Sequence, residues 1–301
     1  MPATHVIELA LPIDLPRSLR PLVASGQDPT IRLRADRLVR CFHSLDGPAT
    51  IAIERLDERR FEASAWGPGR DRALAGAARL LGGDDRLDGF DPTRHRAVAR
   101  AAHRRPDLRI IATGHVTDVL VATILAQRVT SLEAAKSWTK LVRRHGAPAP
   151  GPYGLRLPPT PDQIAALPSW AWHAIGVERS RAQRAARACR YLPHVQASVG
   201  LDHDAAMARL QAVPGIGVWT AAHVRRMSAG DPDAVEVGDY SVKDHIAWNL
   251  AGEARATDER MLELLEPFAG HRGRVVRLLL SVGQRPPAFG ARQRIVEVQD
   301  L

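Results

Sequence analysis

Cysteine is nearly absent: the 301-residue chain holds two, Cys41 and Cys189, far apart in sequence. Two thiols exclude a disulfide framework and a four-cysteine zinc or iron–sulfur site on number alone. A reducing cytoplasm is the expected setting, close to the nucleoid if the source is bacterial. No apolar run approaches the ~18–20 residues of a membrane span, so no membrane partner is expected. The opening Met1-Pro2-Ala3-Thr4-His5 lacks a charged stretch followed by an apolar one, and no signal peptide is expected. Lysine is scarce too. Only Lys136, Lys140 and Lys243 occur, so the net charge of +9 rests on arginine. That charge favours an anionic partner. An Arg- and Ala-rich composition left by GC-rich coding would produce it as well, and charge alone does not choose.

What is present fits a globular protein of two domains, or one large domain with an appendage. Hydrophobic residues make up 45% and charged residues 25%. Up to about Phe90 the pattern mixes strands and helix. Val6–Leu11, Thr50–Glu54 and Arg60–Trp66 read as strands, and Asp71–Leu81 as a helix stopped at Gly82-Gly83. Residues 1–90 are therefore expected to form a small α+β domain with an antiparallel sheet.

From about Pro92 the texture turns helical. Helices are expected over Asp118–Gln127, Ser131–Arg144, Glu178–Tyr191, Asp204–Ala212, Trp219–Ser228, Tyr240–Leu250, Thr257–Phe268 and Arg274–Val282. Ala147–Pro152 reads as a loop, and Thr160 as the N-cap of a short helix opening on Pro161. A helical core over 91–284 and a tail over 285–301 complete the expected organisation, with a helical hairpin at about 205–229.

The hairpin is the most informative stretch: Leu210-Gln211-Ala212-Val213-Pro214-Gly215-Ile216-Gly217-Val218-Trp219-Thr220-Ala221. A helix ending near Ala212 cannot run through Pro214. Gly215 and Gly217 allow positive φ and close approach, while Ile216 plugs the gap between the helices. A second helix then begins near Val218 and turns free amides outward, which suits a phosphate. An ordinary helical hairpin also favours Pro and Gly at its turn.

This string resembles the helix-hairpin-helix DNA glycosylase superfamily, and its AlkA-type 3-methyladenine glycosylase branch in particular. The resemblance extends to Gly230-Asp231-Pro232-Asp233-Ala234-Val235-Glu236-Val237-Gly238-Asp239-Tyr240-Ser241-Val242-Lys243 and covers about Thr113–Ser281. It implies a mainly α, two-lobed helical core behind the N-terminal α+β domain. It also implies a monofunctional enzyme that flips and hydrolyses out alkylated bases, 3-methyladenine and 7-methylguanine in kind, leaving an abasic site. Double-stranded DNA is the implied partner, and a monomer is expected.

The acid after the loop is catalytic in that branch and maps onto Asp239. One carboxylate can stabilise an oxocarbenium-like sugar and activate water. Asp239 also reads as an N-cap, and Asp233 and Glu236 are rival acids on the same loop. The resemblance places the base pocket at Trp219, Tyr240, His223 and Leu280, although Trp219 as hairpin core remains a second reading. His223 and Leu280 depart from the branch, where aromatics are usual. Trp219 stands where bifunctional relatives carry a Schiff-base lysine, and an indole cannot form an imine.

DNA contacts are implied at Pro214, Gly215, Ile216, Gly217, Thr220, Gln127, Arg128 and Lys243. Arg128 matches a wedge that fills the gap left by a flipped base, or is simply an exposed arginine at a helix end. Side chains suggest no metal site and no cofactor. A structural sodium or potassium ion on the backbone of Gln211, Val213 and Ile216 is implied by resemblance only. A DNA-binding protein that keeps the hairpin without chemistry is the alternative reading, and a helical protein adaptor a third.

Overall fold

A computed structural model of the chain describes residues 2–287, so the expected tail over 285–301 lies outside it beyond Pro287. Five antiparallel strands form the N-terminal sheet: β1 (Ala3–Glu8), β2 (Ile31–Leu33), β3 (Arg37–Ser44), β4 (Gly47–Arg55) and β5 (Arg60–Trp66), in the order β1-β5-β4-β3-β2. The register sets Val39 opposite Ala52 and Ile51 opposite Ala65. Central β4 is buried from Ala49 to Ile53. Alternation splits its residues between two faces. Ala49, Ile51 and Ile53 join the main core, while Ala52 packs with Val39, Cys41, Leu155 and Leu157 on the other face.

That second face explains the proline-rich stretch. Ala147–Pro148 (β6) pairs with Arg156–Leu157 (β7), and the segment lies over the sheet rather than forming a free loop. Strands β2 and β3 escape the sequence pattern because arginines at 32, 34, 37 and 40 break it. Arg40 is nonetheless buried, with its guanidinium 4.9 Å from the Phe42 ring centroid.

The helices are α1 (Leu15–Leu19), α2 (Arg70–Ala75), α3 (Ala77–Leu80), α4 (Arg96–Arg104), α5 (Thr117–Leu125), α6 (Ser131–His145), α7 (Pro161–Ala166) and α8 (Ser169–His173). They continue with α9 (Arg179–Arg190), α10 (Leu192–Gln196), α11 (His203–Gln211), α12 (Val218–Ala229), α13 (Val242–Ala251), α14 (Asp258–Leu265) and α15 (Arg272–Val282). The helix expected over Asp71–Leu81 is broken at Gly76 into α2 and α3. Thr160 caps α7 as expected, accepting the Gln163 amide while Gln163 reaches back to Thr160.

The helices bury two cores. One is continuous with the sheet and takes in Leu120, Ile124, Trp138, Leu210, Ile216 and Val224. The other joins α4 to α13, α14 and α15 through Val98, Ile246, Leu265 and Leu279. A buried ion pair ties α15 to the segment that follows the sheet domain, with Arg274 Nη1 3.0 Å from Asp85 Oδ2. The architecture is thus mainly α, with two helical lobes and an N-terminal antiparallel sheet. No helix among the described residues is long and apolar enough to cross a membrane.

Candidate functional site

The hairpin forms where expected, between α11 and α12. Gly215 has φ +99, and a Cβ there would fall 2.5 Å from Arg184 Cγ, so conformation and space both demand glycine. Ile216 is buried in the main core and plugs the hairpin. Gly217 differs from expectation: its φ is −85, and it serves as the N-cap of α12 with no side chain bonded to the helix's first amides. Nothing lies within 4 Å of a Cβ built on it. Pro214, Gly215 and Gly217 are exposed, and the positive end of α12 faces solvent between them.

Thr220 and Gln127 are not available to DNA in the way expected. Thr220 is buried, and its hydroxyl accepts from Gln127 Nε2 at 2.8 Å. The same Nε2 donates to the Gly215 carbonyl at 3.1 Å. These side chains staple the segment after α5 to the hairpin. Arg181, buried, donates to the Leu125 carbonyl at 2.9 Å and fixes the end of α5 from the other side. At the tip of this clamped loop stands Arg128, exposed, with φ +58. It is the one non-glycine residue with positive φ among the described residues, a conformation costing about 1 kcal/mol.

Helix α13 starts at Val242, two residues later than expected, so Tyr240 lies in the preceding turn. Asp239 Oδ1 accepts the Ser241 and Val242 amides at 2.9 and 3.2 Å, and the Ser241 hydroxyl at 3.3 Å. Asp239 Oδ2 accepts the Trp219 indole Nε1 at 3.2 Å. The carboxylate thus holds the turn into α13 with one oxygen and faces the hairpin with the other.

Its rivals are engaged elsewhere. Asp233 accepts from the Arg272 amide and Nε at 2.9 Å. Glu236 is buried against Arg226 Nε at 2.8 Å and His223 Nδ1 at 3.3 Å. Burial alone would raise the Glu236 carboxyl, but the Arg226 charge and His223 outweigh it and hold it well below the usual carboxylate range. Lys243 faces Asp258 at 3.9 Å.

A cavity of about 460 Å³ opens between the sheet domain and the helices, lined by Phe42, Trp138, Trp219, His223, Arg226 and Arg277 among others. The Trp219 and His223 rings stack at 5.7 Å with 19° between their planes. Two expected pocket residues lie outside the lining. Tyr240 is 93% exposed, because its neighbour Asp239 takes the inward side of the turn. Leu280 is 40% exposed, one turn beyond Arg277 along α15. Arg226, Arg277 and the contributions from the sheet domain are cavity residues that the sequence does not single out. The one signal was a lone arginine in the apolar run Val275-Val276-Arg277-Leu278-Leu279.

No protein-family model matches the chain. It is 29% identical over 157 residues to a probable bifunctional transcriptional activator/DNA repair enzyme AlkA of Mycobacterium tuberculosis, covering 52% of this chain and 31% of that protein. It is 26% identical over 166 residues to DNA-3-methyladenine glycosylase 2 of Escherichia coli, covering 54% and 59% respectively. The chain therefore spans less than two thirds of either relative. A 3-methyladenine DNA glycosylase from Archaeoglobus fulgidus superposes with a TM-score of 0.75 over 92% of this chain and 97% of that one, at 18% identity.

The fold is that of the helix-hairpin-helix DNA glycosylases. Within that fold, the chain is similar over about half its length to AlkA-type proteins.

Proposed function

We propose that the protein is a monofunctional DNA glycosylase, hydrolysing alkylated bases of the 3-methyladenine and 7-methylguanine class from double-stranded DNA. The observation that carries this reading is the held carboxylate of Asp239, holding the turn into α13 through Oδ1 and meeting Trp219 through Oδ2. Such a group is preorganised for a developing cation, and a fixed charge needs little rearrangement in the transition state.

The steps follow from the chain's own residues. The exposed turn Pro214–Gly217 and the uncapped start of α12 take a backbone phosphate, which positions the duplex without reading sequence. Arg128 enters the stack at the flipped nucleotide, its backbone clamped through Gln127 and Arg181. The extruded base stacks on the Trp219–His223 pair at the cavity mouth. Asp239 Oδ2 then faces the sugar, stabilises positive charge at C1′ and accepts a proton from the attacking water. No lysine lines the cavity, and position 219 is an indole, so an imine with the sugar has no donor there.

Several finer features belong to the same proposal: a monomer acting in the cytoplasm, and Lys243 close to the DNA path. A sodium or potassium ion on the carbonyls of Gln211, Val213 and Ile216 would brace the hairpin turn, where oxygen ligands suit a hard cation. Incubation with methylated duplex DNA tests the reading. Free alkylated bases should appear by mass spectrometry, and the strand should break only after alkali. Duplex binding without base release would contradict catalysis, and breakage without alkali would contradict the monofunctional mechanism.

A further inference from the structure

Helix α9 carries five arginines, Arg179, Arg181, Arg184, Arg187 and Arg190, behind a single acid, Glu178. Three of the five are spent inside the protein. Arg181 is buried on the Leu125 carbonyl, and Arg190 reaches the Ala165 carbonyl at 3.4 Å. Arg184 donates to the Ser180 carbonyl and hydroxyl at 3.1 and 2.7 Å, with Glu178 at 3.7 Å. Arg187 stands apart. It is exposed, and its side chain makes no hydrogen bond or ion pair among the described residues.

The helix carries Arg187 to the hairpin. A Cβ on Gly215 would meet Arg184 Cγ, Cδ and Cβ at 2.5, 2.9 and 3.3 Å, so the stem of Arg184 lies against the hairpin turn. Residues three apart share one face of a helix. Along α9, Arg181 therefore stands beside the end of α5 that leads to Arg128, and Arg184 beside Gly215. Arg187 follows about 4.5 Å further on, at 1.5 Å per residue, on the side away from α5. Phosphates of one DNA strand succeed each other at about 3.4 Å along the duplex axis. A strand with one phosphate on the start of α12 thus brings the next within reach of a long side chain at 187. A guanidinium suits that ligand, because its planar fork of donors matches phosphate oxygens.

We propose that Arg187 is a second backbone-phosphate site, taking the phosphate next to the one at the start of α12, with the Arg184 stem holding this turn of α9 against the hairpin. The inference rests on the glycosylase reading. The contact is to the backbone, so it is blind to sequence and to damage and adds to affinity for intact duplex. It grips the duplex on the far side of the hairpin from Arg128. Extrusion at Arg128 then works against a strand held at two phosphates.

The test measures binding of the full chain to a labelled undamaged duplex by fluorescence anisotropy, over about 50 to about 300 mM KCl. Arg187→Gln should weaken binding about 10-fold at the lowest salt and reduce the slope of log affinity against log salt by about 0.9, the value of one phosphate contact. Arg187→Lys should keep the slope. Arg59→Gln, which removes an exposed charge at the turn between β4 and β5, should keep it as well. Combined with Gly217→Asp, the loss from Arg187→Gln should add, since separate phosphates are involved. Thermal melts report that each variant is folded. An unchanged slope in Arg187→Gln, an equal drop in Arg59→Gln, or a double variant that binds no more weakly than Gly217→Asp alone would overturn the second site. A wild type with no salt-dependent affinity for duplex would overturn the glycosylase reading and this inference with it.

Discussion

The Trp219 indole donates to Asp239 Oδ2 at 3.2 Å, joining the first turn of the hairpin's second helix to the carboxylate of a different loop. The bond orients the acid and fixes the aromatic face in one contact. Trp219→Phe keeps a ring against His223 and removes only the donor. Base release is expected to fall about 10-fold, the scale of one hydrogen bond to a charged group, with duplex binding little changed. Single-turnover kinetics beside a binding titration check this. An unchanged rate would mean that Asp239 is oriented by its helix amides alone.

The two hairpin glycines should respond in opposite ways. Gly217→Asp places a favourable N-cap where a Cβ meets nothing, so the melting temperature should hold or rise. Its carboxylate would occupy and repel the phosphate site, and DNA affinity should drop about 10-fold or more at low salt. Gly215→Ala should instead lose about 1–3 kcal/mol of stability through its positive φ and its clash with Arg184. Thermal melts and binding isotherms separate the pair. A Gly217→Asp variant that binds DNA normally would remove the phosphate from the account.

Arg128 carries backbone strain that a surface arginine has no need of. Arg128→Gly should gain up to about 1 kcal/mol in stability, because glycine adopts φ +58 freely. If Arg128 is the wedge, the same change should slow base extrusion, followed by the fluorescence of a 2-aminopurine beside the lesion. Faster or equal extrusion would leave Arg128 as a solvated helix-end residue.

Glu236 sets a pH dependence of stability. Its folded-state carboxyl lies below the unfolded value, burial being outweighed by Arg226 and His223. The contribution is therefore fully present above the unfolded pKa of about 4.3 and is lost as pH falls toward the folded one. Glu236→Gln should cost about 3–5 kcal/mol at pH 7, since it strands a buried guanidinium. The gap to wild type should narrow at pH 3.5, as measured by denaturant unfolding at both pH values. An equal gap at both would place the stabilisation elsewhere.

Much of this was legible in the sequence because the informative residues are local. Pro214, Gly215 and Ile216 act within one turn, and the helix periodicity around them is regular, so the hairpin and a helical core can be read directly, while the two lobes come from the resemblance. Asp239 stands out through its loop; it is not the N-cap of α13, which is Ser241, but from two residues earlier it accepts the Ser241 and Val242 amides and meets the Trp219 indole. The cavity was less accessible. Its walls come from β3, α6, α12 and α15, and nothing in the spacing of Phe42, Trp138 and Arg277 brings them together. Tyr240, expected to open α13, lies two residues before it and is exposed. Thr220 and Gln127, expected at DNA, are joined instead through Gln127 Nε2, which donates to the Thr220 hydroxyl and the Gly215 carbonyl.

Base release by Asp239→Asn tests the central claim most directly. Asparagine keeps an acceptor for the Ser241 and Val242 amides, so the fold should be preserved and duplex binding should stay within a few-fold of wild type. The account predicts that the single-turnover rate of alkylated-base release falls by at least about 100-fold. Release at the wild-type rate by a variant that binds DNA normally would contradict it.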